Sequence, residues 1–324
     1  MRNPRARSAR RIGPDRDCSG GADVSLAAEL TAEKDGNPKT AGTPPLESSD
    51  DLAVTVIEPR PGWHVVNLRE MWRYRELLYF LTWRDVKVRY KQTVLGAAWA
   101  VLQPFATMVV FSLFVGRVAG ATPGDLPYPL FVFAGLVPWF LFANAITAAS
   151  QSVVGNQGLV TKVYFPRLLI PLSAVGPYVL DFAIGYGLLL AMMAYYGVPP
   201  GWGMLAAPLV ALGVTIAAVG VGTLLAALTV AYRDFRYVVP FMVQLWMFAT
   251  PPVYLPVADV VGPTGAAVLP LNPAYGLVAN FRAATLGGGF DGYSLAVSGA
   301  SAATALIVGC LYFRRVERQF ADII

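Results

Sequence analysis

Downstream of Gln92 the chain alternates long apolar runs with short charged segments. Residues 92–116 and 126–161 contain no Asp, Glu, Lys or Arg, and 168–232 contain only Asp181. Residues 237–258 and 292–313 are also free of charge. A helix needs about 20 apolar residues to cross the hydrocarbon core of a bilayer. The runs therefore predict span one at about Leu95–Val115 and span two at about Pro129–Ala149. Gly197-Val-Pro-Pro-Gly-Trp-Gly203 breaks the third run into spans three and four. Span five follows over 237–258, interrupted near its end by Pro251-Pro252, and span six over 292–313.

Between spans five and six, Val260–Phe281 is apolar but carries Gly262, Pro263, Gly265, Pro270, Pro273 and Gly276. Non-helical backbone at membrane depth must be buried in protein or line a cavity. This stretch predicts short re-entrant or surface helices packed on the other spans, not a seventh crossing. No internal repeat is visible, which argues against the inverted-repeat plan of many secondary carriers.

Upstream of span one the pattern differs. Over about Asn67–Tyr90, Leu68, Met71, Trp72, Leu78, Leu81 and Val86 recur at near-helical spacing, with Arg69, Arg73, Arg84, Lys87 and Arg89 between them. Such a stretch predicts an amphipathic helix lying in the membrane interface. Residues 1–60 are rich in Arg, Pro, Gly, Ser and Asp, and are expected to be a disordered cytoplasmic tail. Arg10-Arg11 is followed by no apolar segment, so neither a twin-arginine signal nor a cleaved leader is expected.

Charge confirms the solvent. Only 14% of the 324 residues are charged, while 56% are hydrophobic. Residues 1–91 hold 16 of the 25 Lys and Arg. With six spans and the N-terminus inside, the inner segments from Arg69 onward carry fourteen basic residues and the outer loops only Arg117 and Arg282. The positive-inside rule then places both termini in the cytoplasm of a multi-pass plasma (inner) membrane protein. The net charge of +5 accompanies no nucleic-acid recognition motif, so no nucleic-acid partner is expected.

Most enzyme chemistry lacks its side chains. The one histidine is His64, and Cys18 and Cys310 show no metal-ligand spacing, so no metal site or catalytic triad is expected. A P-loop needs Gly before its Lys, and the five lysines follow Glu33, Pro38, Val86, Tyr90 and Thr161. No cofactor is expected in this chain. The one acid within a span, Asp181, either contacts polar cargo or a proton, or serves as a hydrogen-bond partner near Pro177 for Tyr178 or Tyr186.

The stretch Trp83-Arg-Asp-Val-Lys-Val-Arg-Tyr-Lys-Gln-Thr-Val-Leu-Gly-Ala-Ala-Trp-Ala-Val-Leu-Gln-Pro104 resembles the approach to span one in a known family. That family comprises the membrane subunits of ABC-2 type exporters for cell-surface polysaccharides: O antigen, capsule and teichoic acid. Gly135-Leu-Val-Pro-Trp139, Asn156-Gln-Gly-Leu-Val-Thr-Lys-Val-Tyr-Phe-Pro-Arg167, Tyr232-Arg-Asp-Phe-Arg-Tyr237, Thr250-Pro-Pro-Val-Tyr254, Leu271-Asn-Pro-Ala-Tyr275 and Arg315-Val-Glu-Arg-Gln-Phe320 follow in the family's order. The resemblance covers about Val66 to the C-terminus. It divides the chain into the tail 1–60, an interfacial helix region 61–92 and an ABC-2 type transmembrane domain 93–324. The N-terminal tail departs from the pattern.

The resemblance implies a homodimer of six-span subunits, an all-α integral membrane fold, and a separate ABC ATPase subunit holding ATP and Mg. Lipid-linked polysaccharide would be the cargo. ATPase docking would fall to Gln157, Leu159, Lys162, Tyr164, Phe165 and Pro166 in the first inner loop, with Arg233 and Arg236 in the second; a plain interfacial loop is the alternative. Arg84, Arg89 and Lys91 would gather a lipid diphosphate, or would only set orientation on anionic lipid. Phe105, Trp139, Phe140, Tyr178 and Asp181 are candidates for a transport path, though aromatic rings also serve packing and interface belts. The rival readings are an ABC-2 permease for drugs or other lipids, an ion-coupled carrier, and a membrane glycosyltransferase.

Overall fold

The computed structural model describes residues 68–91, 98–118, 120, 124, 126–254, 263–317 and 320, all within the unit Pro61–Ile324. The readings made for residues 1–67, the tail among them, and for 255–262 lie outside the described residues. Among the described residues every regular element is helical.

Two helices precede the bundle: α1 (Leu68–Arg73) and α2 (Arg75–Lys91). Then come α3 (Ala98–Phe111), continued by a π-helical segment Ser112–Val118, α4 (Tyr128–Gly155), the short α5 (Gln157–Lys162) and α6 (Leu169–Tyr196). A 3-10 turn, Trp202–Ala206, leads into α7 (Ala207–Ala231), followed by α8 (Phe235–Phe248), α9 (Pro263–Val268), α10 (Pro273–Leu286) and α11 (Gly292–Val316).

Five helical segments are long and apolar enough to cross a membrane: Ala98–Val118, Tyr128–Gly155, Leu169–Tyr196, Trp202–Ala231 and Gly292–Val316. They correspond to predicted spans one, two, three, four and six. Predicted span five differs. α8 has 14 residues, roughly 21 Å at 1.5 Å per residue, against a core of about 30 Å. It ends where Pro251-Pro252 cannot supply backbone N–H groups, and a 3-10 turn Pro251–Val253 follows.

α4 is the central helix and packs against α3, α6, α7, α8 and α10. Close helix contact is made by small residues, as membrane bundles favour. A Cβ on Gly309 of α11 would lie 2.3 Å from the carbonyl oxygen of Gly220 on α7. The backbones can meet there only because both positions are glycine.

The chain's turns sort to two ends. At one, a cluster of Val153, Val160, Phe165, Leu169, Val230, Phe313 and Phe320 joins the ends of α4, α7 and α11 to α5 and the start of α6, with Met71, Tyr74 and Leu77 beside it. Arg167 donates to the Glu317 carbonyl there. The basic segments around Lys162, Arg233 and Arg314 all belong to this end. At the other, the start of α4, the turn after α8, and α9–α10 meet. Tyr128 donates to the Tyr254 carbonyl at 2.8 Å, and Asn272 caps α10 while accepting from Trp246 at 3.0 Å. The short helices predicted between spans five and six are present, with α10 buried against α4, α7 and α11.

Of the apolar stripe expected on the N-terminal helices, Met71, Leu78 and Val86 are half-buried, Leu81 is buried and Trp72 is exposed. Leu81 is the one buried side chain recorded on α2, while Trp72 (70%), Phe80 (64%) and Trp83 (47%) are exposed. α2 packs on α6 through small and polar groups: Thr82 sits where a Cβ on Gly176 would fall. The aromatic rings instead face outward and pair with basic neighbours, Arg75 over Trp72 at 5.5 Å and Lys87 over Trp83 at 5.4 Å.

Candidate functional site

α2 is fastened to the bundle by polar contacts at two places. Arg84 bonds Asp85 at 2.8 Å and the side-chain oxygen of Asn156 at 2.9 Å. Asn156 closes α4 and opens α5, and its own amide donates to the Ser152 carbonyl. Further along, Arg89 donates to Asp181 on α6 at 2.6 Å and lies 4.5 Å over the Tyr178 ring. Tyr90 donates to the other carboxylate oxygen of Asp181. Burial, followed by the Asp181 hydrogen bond, raises the Tyr90 hydroxyl above the usual phenol range, so it stays a donor.

The three basic residues expected to gather a diphosphate therefore do not form one cluster. Five residues turn a helix by about 140°, so Arg84 and Arg89 reach different neighbours. Lys91 is exposed at the helix end. Asp181 finds its partners in Arg89 and Tyr90. Tyr178 sits beside them under the guanidinium, and Tyr186 instead stacks on Phe182.

The first inner loop divides its two aromatics. Val163 is extended, φ −129° and ψ 133°, and successive side chains of extended backbone point in opposite directions. Tyr164 is 80% exposed, whereas Phe165 is 6% exposed and belongs to the cluster at this end. Phe165, one of the residues expected at the ATPase, is thus turned into this subunit's own core. Gln157 and Lys162 are exposed, Leu159 and Pro166 half-buried, and Arg233 and Arg236 exposed in the second inner loop.

Of the path candidates, Trp139 is 2% exposed and packs on Phe142 at 5.8 Å, so it is core and faces no path in this subunit. Phe105 is exposed in an apolar groove of about 460 Å³ between α3 and α6, with Met108, Tyr195 and Tyr196. Phe140 and Asp181 share a different, narrow cavity with Arg89, Trp99, Gln103 and Asn144. Trp99, Gln103 and Asn144 were not among the sequence candidates. The available signal was an amide within each of two charge-free runs, a costly placement in a span.

At the opposite end the family-like segments converge. The Val253 backbone packs on Gly135, where a Cβ would fall 2.4 Å from its carbonyl oxygen. Asn272 donates to Thr250 at 2.9 Å. Arg282 lies 3.8 Å from the Phe131 ring centroid, and burial lowers its guanidinium to about 10, still charged at neutral pH.

A family model described as "ABC-2 type transporter" matches residues 76–284. The O-antigen export system permease protein RfbA of Myxococcus xanthus is 32% identical over 218 residues, 67% of this chain and 82% of that one. An O-antigen export system permease protein RfbA of Klebsiella pneumoniae is 28% identical over 254 residues, 77% and 95% of the two chains. The polysialic acid transport protein KpsM of Escherichia coli is 32% identical over 76 residues, 24% and 30% of the two.

Proposed function

Because this chain belongs to the ABC-2 type transporter family, we propose that it is the permease of an exporter moving lipid-linked cell-envelope polysaccharide outward across the plasma membrane. The observation that carries this is the 32% identity to an O-antigen export permease over 82% of that protein's length. ATP and Mg would be bound by a separate ABC ATPase subunit, since no lysine here follows a glycine. Two copies of the chain would enclose the path.

The topology follows from charge and connectivity. The basic end, with α2, α5 and the α7–α8 turn, faces the cytoplasm. α8 with its following turn serves as crossing five, which completes six, since it leads from the end of α7 to Tyr128 at the start of α4. α9 and α10 form the re-entrant element on the outer side. α2 lies along the inner interface, its exposed aromatic and basic side chains suited to that layer. Tyr164, Lys162 and Gln157, with Arg233 and Arg236, offer the ATPase a surface; Phe165 holds that surface in place from below.

Asp181 bears on the carrier alternative. An ion-coupled carrier needs an acid that gains and loses a proton or cation. Asp181 is instead held by an arginine and a tyrosine. The proposal is tested by purification. The chain alone is expected to hydrolyse no ATP, and activity is expected when a partner ABC ATPase subunit from the same host is co-expressed. Hydrolysis by the chain alone, or no ATPase bound under any nucleotide condition, contradicts the reading.

A further inference from the structure

Asp181 of α6, Asn144 of α4 and Gln103 of α3 line one narrow cavity, flanked on the α2 side by Arg89. Polar side chains within membrane-crossing helices are costly and mark cargo paths or mutual pairing. Asp181 is paired with Arg89 and Tyr90. The side-chain amides of Gln103 and Asn144 make no hydrogen bond among the described residues. Two amide-bearing residues with no side-chain partner among the described residues thus line one space with a carboxylate.

The size of that space restricts what enters. It holds about 20 Å³, room for about one water or one hydroxyl group. Of its lining residues, Trp99, 51% exposed, and Gln103, also exposed, reach the surface of the subunit. A sugar ring is too large for the slot, but its apolar C–H face fits an open indole while a single hydroxyl points inward. A hydroxyl both donates and accepts, which matches a carboxylate beside amide N–H groups. A phosphate matches poorly, because the slot contains a carboxylate and the nearby guanidinium is already paired with it.

We propose that the slot between Asp181, Asn144 and Gln103 takes one hydroxyl of a neutral sugar whose ring stacks on Trp99, a reading that rests on the cargo being a polysaccharide. Arg89 is then a positioning residue: it holds the Asp181 carboxylate in place and keeps the site near neutral overall.

The test uses the full permease–ATPase complex in its native host, with the host's own surface glycan as the probe. Asn144→Leu changes volume little and places an apolar group where a bundle tolerates one. Losing that hydrogen bond is expected to slow the appearance of surface glycan about tenfold, and Trp99→Ala is expected to do the same. Asn144→Ser and Trp99→Phe keep a polar group and a ring, and are expected to export faster than Asn144→Leu and Trp99→Ala but slower than the parent. Membrane abundance and ATPase co-purification stay unchanged in all four. If Asn144→Leu lowers abundance, Gln103→Leu at its exposed position is read in its place, with the same expectation. Export at the parental rate by the apolar variant, or by Trp99→Ala, overturns the sugar slot. Failure of the polysaccharide reading looks different: deleting the gene leaves surface glycan intact before any variant is compared.

Discussion

Arg89 on α2 and Asp181 on α6, 92 positions apart in the chain, form an ion pair with an N–O distance of 2.6 Å. The Asp181 side chain is only 12% exposed and the Arg89 side chain 33%. Removing one partner leaves a charge poorly solvated, at a cost of roughly 3–5 kcal/mol for full burial. The exposure of Arg89 reduces this to about 1–3 kcal/mol here. Arg89→Leu and Asp181→Leu are each expected to lower the thermal midpoint of the purified protein. The double variant is expected to be more stable than the sum of the two losses. Additive losses would show that the pair carries no coupling.

The α7–α11 contact predicts a sharp contrast between two glycines of one helix. Gly309→Ala would place a methyl 2.3 Å from the Gly220 carbonyl oxygen, whereas a Cβ on Gly299 meets nothing within 4 Å. Overpacking costs roughly 1–3 kcal/mol. Gly309→Ala is expected to reduce the folded, monodisperse fraction on size exclusion, and Gly299→Ala to match the parent. Equal behaviour of the two would contradict the close crossing.

Tyr164 and Phe165 are expected to separate docking from folding. Phe165→Ala removes a buried ring, costing roughly 3–5 kcal/mol of stability. Tyr164→Ala should leave the thermal midpoint unchanged and weaken ATPase binding by about 2 kcal/mol, or roughly thirtyfold. Co-purification at the parental level in Tyr164→Ala would return this loop to a plain interfacial role.

Much of the bundle was legible in the sequence because membrane helices announce themselves by missing charge. The run 126–161 frames α4, and the breakers from Gly262 to Gly276 foretell short helices where α9 and α10 stand. The site was less legible. Helical spacing gives the direction of Arg89 but not the helix it meets, so the pairing with Asp181 required the tertiary fold. Trp139 and Phe140 are adjacent aromatics in one span, yet only packing makes the first core and the second a cavity wall. α8 was overestimated because hydropathy continues through the turn at Pro251, where the backbone does not stay α-helical.

The proposed orientation predicts labelling from outside. Single cysteines at Gly124, Gly201 and Gly288, in a background lacking Cys18 and Cys310, are expected to react with an impermeant thiol reagent in intact cells. Cysteines at Lys162 and Arg233 are expected to react only after lysis. Labelling at Lys162 in intact cells would contradict the arrangement of ends.

The proposed activity is outward transport of envelope polysaccharide driven by a partner subunit's ATP. The direct measurement is surface glycan and cytoplasmic lipid-linked glycan in the native host after clean deletion of this gene. Surface glycan is expected to disappear while the lipid-linked polymer accumulates inside. The plasmid-borne gene is expected to restore export when the ATPase subunit is intact, and not when that ATPase's Walker lysine is changed. Unaltered surface glycan in the deletion strain would contradict it.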